Sequence, residues 1–577
     1  MIIVSGNSII NNELNKVLIN GKIITVDDKF SIKQAVGIKG NRISCAGTND
    51  QIKPFISRNT EVIDLKGKTV LPGINDSHTH TALWGGSRPP LAVDVTYPAV
   101  KSIKDIVKAV GKKVKTAKPG EWIRGLGWNE GFLDECLKDK NRHPTKDDLD
   151  PVSPHNPVCL VDFSVHTIWV NSKALQLAGV NKETPIPTGG DIVRDPATGE
   201  LTGLLREFAA QGLIMRVVPL WTKAEKRIAI VNAIKELNSL GITSLTEAAL
   251  GSGGNTYQGG FLGSECISIY NDLMNENQLN ARVNILYLFG EYGANSLKDF
   301  EDIVPQLGIH SGFGNEKLKI GGIKIFADGI PPTRTAWVSQ EYLGGGKGSL
   351  VLPGATDEER THELESMIRY AHKLGFQVGV HAIGDLAIEA TIDSFVKAEK
   401  EAPRGLRHYV MHVDFMTPRQ AKTAAKYDIG VNAQPSLQWT ISDLLVDVVG
   451  LKRVKKEWPY RMILDAGCHL SGSSDAPCTY PSWLQAIQSA VLRESKATGK
   501  VYSPDQCLSR EEAIRMYTMG GAWQDHQEDI KGSIEVGKLA DLCVLDENIL
   551  KVDAHKIKDI RNLMTIMDGK IVFNNWV

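Results

Sequence analysis

Apolar residues recur along this chain with two periods. Runs of about four to eight alternating or clustered apolar positions, bounded by Gly, Asn, Asp or Pro, predict strands, and stretches with apolar residues every three or four positions predict helices. The first seventy residues show only the strand texture: Val17 to Val26 around Asn20-Gly21, Ala35 to Ile38, Ile43 to Ala46 after Gly40-Asn41, and Glu61 to Leu65. The last fifty repeat it, with Leu539 to Leu545, Leu563 to Met567, a turn at Asp568-Gly569, and Lys570 to Phe573. Residues 1–70 and 530–577 are therefore expected to pair into one small, discontinuous β-sandwich.

Between these ends the texture alternates between strand and helix, the α/β pattern of a parallel sheet wrapped by helices. Eight strands are predicted: Leu71 to His80, Gly241 to Glu247, Val283 to Leu288, Lys319 to Asp328, Gln377 to His381, His408 to Asp414, Gly430 to Gln434 and His469 to Asp475. Helical stretches such as Lys223 to Ser239 and Asp357 to Leu374 separate them. Eight such units predict a TIM (β/α)8 barrel over residues 71–86 and 223–529. The connection after the first strand is far longer than the others and carries Trp122, Trp128, Trp169 and Trp221. Residues 87–222 are read as an inserted α+β domain over the barrel mouth, because insertions collect in the loops at strand C-termini.

Composition narrows the function classes. Lys plus Arg number 66 and Asp plus Glu 67, a formal net charge of −1 over 577 residues, so no basic excess points to nucleic acid or an anionic membrane surface. Hydrophobic residues make up 42% and charged residues 23%, enough to build large cores and too apolar for disorder. The eight cysteines are scattered without a CxxC pair, which argues against a thiolate metal site or a disulfide framework. No apolar run reaches membrane-spanning length, and the opening MIIVSGNSIINNELNK lacks the pattern of a secretory leader. A cytoplasmic protein acting on a small molecule is the expectation, with self-association into a homo-oligomer left open.

The chemistry sits at strand ends. In Asp76-Ser77-His78-Thr79-His80, strand alternation sends His78 and His80 to the same side, where both can reach one metal ion. In Gln377 to His381, apolar Val378 and Val380 take the outer face and leave His381 inward at the C-terminal end. His412 is read the same way, with Tyr409 and Met411 on the helix side and His408 in the lower core. Strand eight runs into Ser473-Ser474-Asp475-Ala476-Pro477, which places Asp475 beside strand one as either a loop cap or a metal-bound general base; the strand-end position favours the base. Strand four sends Lys324 inward between apolar Ile323 and Ile325. A buried ammonium needs either an ion pair, with Asp328 or Asp475, or conversion to an anionic carbamate by carbon dioxide; three histidine-bearing strands favour the carbamate.

Taken in order, Pro72 to His80, Lys324 to Gly329, His381-Ala382-Ile383-Gly384-Asp385, Gly472 to Pro477 and the tail Gly532 to Leu542 resemble the amidohydrolase superfamily. Within it they resemble the YtcJ-type branch, which includes N-substituted formamide deformylases. The resemblance implies a metal-dependent hydrolase of amide-like C–N bonds: an N-substituted formamide, N-acyl amine, cyclic amide or urea. It implies His78, His80, His381 and His412 as ligands of a divalent metal, most simply two zinc ions, with Lys324 as the carboxylated bridge and Asp475 as ligand and proton shuttle. His166 resembles a position that closes over the site from the insertion. With Trp84, Arg334 and Trp337 it completes the expected substrate contacts. The sequence departs from the branch at Gly329-Ile330-Pro331-Pro332-Thr333-Arg334-Thr335, where two prolines stiffen a loop that bears on specificity.

Two rivals accompany this reading. A mononuclear-metal deaminase would use the histidines and Asp475 similarly without needing Lys324 as a bridge. A barrel scaffold or binding protein would keep the fold and lose the chemistry, against which the full ligand set argues.

Overall fold

The strand–helix alternation closes on itself. The computed structural model describes residues 13–97, 99–139, 141–187, 190–255, 259–290 and 296–576. In it Ile74–Thr79, Ile242–Leu250, Arg282–Tyr287, Leu318–Phe326, Gln377–Ala382, Tyr409–His412, Gly430–Ala433 and Leu470–Gly472 pair in parallel, each with the next. The two end strands are joined by the Asp475 N–H donating to the His78 carbonyl (2.9 Å) and the His80 N–H to the Ala476 carbonyl (2.8 Å). The Ser77 hydroxyl adds a bond to the Gly472 carbonyl (2.7 Å). The result is the nearly closed eight-stranded barrel that the sequence predicts.

The predicted first strand divides in two. Thr69–Pro72 belongs to a different sheet, and only Ile74–Thr79 enters the barrel. Gly73 makes the junction because a Cβ there would lie 2.1 Å from the Thr243 Oγ1. Thr69–Pro72 is antiparallel to Leu542–Leu545, so strands from both chain ends share one six-stranded sheet. A four-stranded sheet formed by Lys16–Ile19, Ala35–Lys39, Arg42–Gly47 and Glu61–Asp64 packs against it. The run Val17 to Val26 splits between these two sheets at Asn20, whose φ of 56° turns the corner. Leu18, Val36, Ile38, Val70, Leu542 and Ile566 fill the space between them.

The long connection after the first barrel strand builds a third, six-stranded mixed sheet in the order Asp191–Arg194, Leu201–Arg206, Thr167–Val170, Val158–Asp162, Ile123–Trp128 and Val93–Asp94. Residues 163–166, between two of these strands, reach the barrel mouth. Residues 1–12, which contain most of the segment read above for a leader, lie outside the described residues. Among the described residues no helix is long and apolar enough to cross a membrane. All eight cysteines are free thiols.

Alternation fixes most inward side chains, with two departures that matter. In the first strand the register against Ile242–Leu250 shifts between Asp76 and Thr79. This irregularity lets Ser77, bonded to Asn432 and Gly472, and His78, beside Asp475, both reach the interior. In the sixth strand Tyr409 and Met411, expected on the helix side, instead face inward and cluster with Leu286, while Val410 joins the outer core. His412 nevertheless reaches the interior because left-handed backbone at His412 (φ 76°) and Val413 (φ 54°) folds the strand end over the mouth.

Gly379 is what lets Tyr409 and Met411 turn inward, since a Cβ on it would lie 2.5 Å from the Met411 Cε and 2.7 Å from the Tyr409 Cζ. Gly379→Ala should therefore destabilise the barrel by about 1–3 kcal/mol through overpacking. The denaturant midpoint measures this, and an unchanged midpoint would show that the interior yields freely.

Candidate metal centre

Five strand ends deliver His78, His80, Lys324, His381, His412 and Asp475 to a single cavity of about 120 Å³ at the barrel mouth. One oxygen of Asp475 stands 3.2 Å from the His78 Nε2 and 3.5 Å from the His80 Nε2. The donor atoms of these three residues all lie within 4.8 Å of one another. The ring of His412 is 5.3 Å from that of His78 and 4.5 Å from that of His381, so the four imidazoles form one continuous cluster.

The imidazoles are held as neutral bases. Burial lowers the pKa of His80 and His412 to about 3 and pushes His78 and His381 well below the ordinary range, with the Lys324 charge adding to the effect at all four. Hydrogen bonds fix two tautomers. The His412 Nδ1 donates to the Gln434 Oε1 at 2.8 Å, which leaves its Nε2 as the lone-pair atom. The Gln434 orientation is set in turn by its amide donating to Asn432 (2.7 Å) and Ser473 (2.9 Å). The His381 Nε2 donates to the Gly329 carbonyl at 3.3 Å, leaving Nδ1 free to bind. By contrast the Nδ1 atoms of His78 and His80 are buried with no hydrogen-bond partner.

Lys324 is fully buried. Its Nζ lies 2.9 Å from the Met411 sulfur and 4.5 Å from the centre of the Phe326 ring. Among the described residues no carboxylate comes within ion-pair distance, so neither Asp328 nor Asp475 pairs with it directly, although the Asp475 charge favours the ammonium from farther off. Burial lowers its pKa to about 7. Asp328 is engaged elsewhere: its oxygens accept backbone N–H bonds from Ile383 (3.0 Å), Gly384 (2.9 Å) and Trp337 (2.9 Å), fixing the turn after His381. Glu247, at the second strand, accepts from the Tyr270 hydroxyl (2.6 Å) and the Ala82 N–H (3.2 Å) and does not line the cavity.

Neutral imidazoles with inward lone pairs, a carboxylate oxygen shared by two of them and an unneutralised amine suit a divalent cation: the donors are of the right types, and their orphaned atoms otherwise carry a desolvation cost. Second contacts of metal-binding groups orient them, and Gln434 and Asp76 have that form here. Asp76 accepts from the Ser474 N–H (2.9 Å) and hydroxyl (2.5 Å), which anchors the loop carrying Asp475. Neither residue stood out in the sequence, although Gln434 closes a predicted strand and Asp76 precedes the HxH pair.

His166 also lines the cavity, held by its Nδ1 at 2.8 Å from the Glu207 carboxylate. Burial opposes its charged form, but Glu207 together with Asp162 and Asp475 more than offsets burial and raises its pKa. The remaining expected substrate contacts stand apart. Trp84 lines a neighbouring chamber, Arg334 is exposed, and Trp337 is occupied in fixing Asp328 through its backbone. Their loop still contributes, because Pro331 and Pro332 are in the cavity wall. Ser164, Asp414 and Cys478, not singled out in the sequence as site residues, also line it.

Gln434→Ala should weaken metal binding about 10–100-fold by releasing the His412 ring while leaving every direct donor in place. Competition with a chromophoric chelator measures it, and an unchanged affinity would remove Gln434 from the site.

Comparison with known proteins places the whole chain. A curated relative, the putative amidohydrolase YtcJ of Bacillus subtilis (strain 168), is 31% identical, with 96% of this chain and 98% of that protein covered. The N-substituted formamide deformylase of Arthrobacter pascens is 28% identical over 96% of this chain and 97% of its own. An uncharacterized metal-dependent hydrolase from Pyrococcus furiosus, known by crystal structure, superposes with a TM-score of 0.69 at 28% identity, covering 93% of this chain and 100% of that one. Residues 61–573 match the amidohydrolase family as a whole, and the chain belongs to that family.

Proposed function

We propose that this protein hydrolyses an amide-like C–N bond in a small molecule with an apolar substituent, the N-substituted formamides and N-acyl amines being the foremost class. Family membership makes it a metal-dependent hydrolase of C–N bonds. The observation that carries the finer reading is the cavity itself: four neutral imidazoles, one carboxylate and one buried lysine at the end of a pocket walled by Phe163, Leu288, Ile330, Pro331 and Leu437. The similarity to a formamide deformylase supports the substrate class.

In this reading His78, His80, His381, His412 and Asp475 hold zinc. Lys324, as the free amine that burial favours, adds to carbon dioxide through a new N–C bond and releases one proton. The resulting carbamate would offer an anionic oxygen donor alongside the four imidazoles and Asp475, the residues that would hold the metal. An anion there resolves the electrostatics, because an ammonium beside two cations would be strongly repelled. The zinc supplies Lewis acidity, lowering the pKa of water and polarising a carbonyl. Asp475 takes the proton of the attacking water and returns it to the leaving nitrogen, since an amine departs poorly unless protonated. His166, oriented by Glu207, donates a hydrogen bond to the carbonyl oxygen as negative charge develops on it. The absence of a CxxC pair or disulfide framework fits work in the reducing cytoplasm.

Asp475→Asn should keep the fold and most of the metal yet lower kcat at least about a hundredfold on an N-substituted formamide, with a smaller change in KM. Activity within about tenfold of the parent would mean that Asp475 moves no proton. Lys324→Ala should lose metal, and a short carboxylic acid such as propionate should restore part of both loading and turnover. Metal analysis and steady-state rates read the outcome, and full loading of Lys324→Ala without carboxylate would exclude the bridge.

A further inference from the structure

Outside the metal chamber lies a second cavity of about 790 Å³, and the two share Phe163, Pro477 and Cys478 in their walls. None of the proton-transfer or metal-binding groups named above lines it except through that common wall. Its surface comes from two parts of the chain: Trp84, Arg88, Tyr97 and Phe132 follow the first barrel strand, while Trp439 and Lys496 lie beyond the seventh and eighth.

The lysine is unusual. The Lys496 Nζ lies 4.2, 4.1 and 4.9 Å from the ring centres of Tyr97, Phe132 and Trp439, a cage of three aromatic side chains around one ammonium. Such rings stabilise a cation through their quadrupoles but accept none of its three N–H groups in the way an oxygen does. Among the described residues no carboxylate comes within ion-pair distance of it. Burial lowers its pKa to about 8, so the ammonium form still prevails at neutral pH.

Arg88 supplies a second cation on the same cavity. Its guanidinium lies 4.8 Å from the Trp84 ring centre, its nearest carboxylate oxygen, on Glu236, is 3.9 Å away, and its Nε is buried without a partner. The cavity therefore combines broad aromatic walls with two under-neutralised cations. Lys558, Asp94 and Asp559 also line the cavity, so its charges alone do not choose the guest, but the aromatic cage that would attract a cation is already filled by Lys496. A guest with an apolar body and a terminal anion satisfies both the walls and the ammonium.

We propose that this outer chamber binds the non-reacting arm of the substrate, an aryl or alkyl chain ending in a carboxylate that pairs with Lys496. The assignment rests on the reading of the inner chamber as the reaction centre. It makes the substrate class N-formyl or N-acyl compounds that carry an acidic side arm.

The test uses the metal-loaded enzyme and two probes that differ only in charge, 4-phenylbutyrate and 4-phenylbutyramide, titrated by calorimetry and by tryptophan fluorescence. The carboxylate should bind at least about tenfold more tightly to the parent. Lys496→Met should erase that preference, and Lys496→Arg, which keeps the cation, should retain most of it. Equal binding of the two probes by the parent overturns the proposal, as does a preference that survives in Lys496→Met, which would place the carboxylate on the metal instead. If Lys496→Met fails to fold, Lys496→Gln, which also removes the cation, takes its place under the same two outcomes. Discrimination without hydrolysis of any formamide or N-acyl amine would overturn the proposed function while leaving the subsite standing. Hydrolysis without discrimination would overturn the subsite alone.

Discussion

Everything at the mouth of this barrel depends on the seam between its first and last strands. Two backbone hydrogen bonds, from Asp475 to His78 and from His80 to Ala476, hold together segments almost four hundred residues apart. They place a carboxylate oxygen 3.2 Å from one imidazole nitrogen. The Asp76 carboxylate reinforces the seam by accepting both the backbone and hydroxyl bonds of Ser474. A displacement of an ångström here would separate Asp475 from His78 and His80, and sites of this kind depend on such placement.

The barrel interior treats its ionisable groups differently at the floor and at the mouth. At the floor Asp525 accepts from Asn75 (2.9 Å), Asn284 (3.0 Å), Thr246 (3.1 Å) and Lys531 (2.6 Å), a network in which a buried charge is fully compensated. At the mouth His78 and His80 each leave a ring nitrogen unpartnered, and Lys324 has only a sulfur and an aromatic ring beside it. Both layers are equally dry, so burial alone does not distinguish them. The distinction lies in the ionisable groups: the Asp525 carboxylate is paired with the Lys531 ammonium, although the Asn75 and Asn284 oxygens beside it have no partner, whereas the mouth leaves the Lys324 amine without an ion pair, at some cost in stability. The long connection after the first strand covers this mouth with His166 and Phe163, and in doing so it also encloses the outer chamber.

Much of this was legible in the sequence because strand alternation and chain order are local properties. All eight barrel strands appear where hydrophobic patterning predicts them, and His78, His80, Lys324, His381, His412 and Asp475 share one cavity. The signal was strongest where a polar residue interrupts an apolar run at a strand end, as with His381 after Val378 and Val380. His412 reached the interior by a route that alternation does not contain, a left-handed turn after an inward Met411. Alternation placed Tyr409 and Met411 on the wrong face for the same reason: it cannot register that Gly379 on the neighbouring strand vacates the space they occupy.

The sequence by itself determined the alternating architecture, the pairing of terminal strands and the types of residue available for chemistry, because period and residue identity are written along one dimension. It did not determine that Gln434 fixes the His412 tautomer, that Asp328 is consumed by three backbone N–H groups, or that Arg334 points to solvent. Nor did it reveal the aromatic cage around Lys496, whose members Tyr97, Phe132 and Trp439 lie in distant parts of the chain. Such features depend on distances between side chains from different elements. Those distances exist only once the barrel has closed and the covering sheet has packed over its mouth.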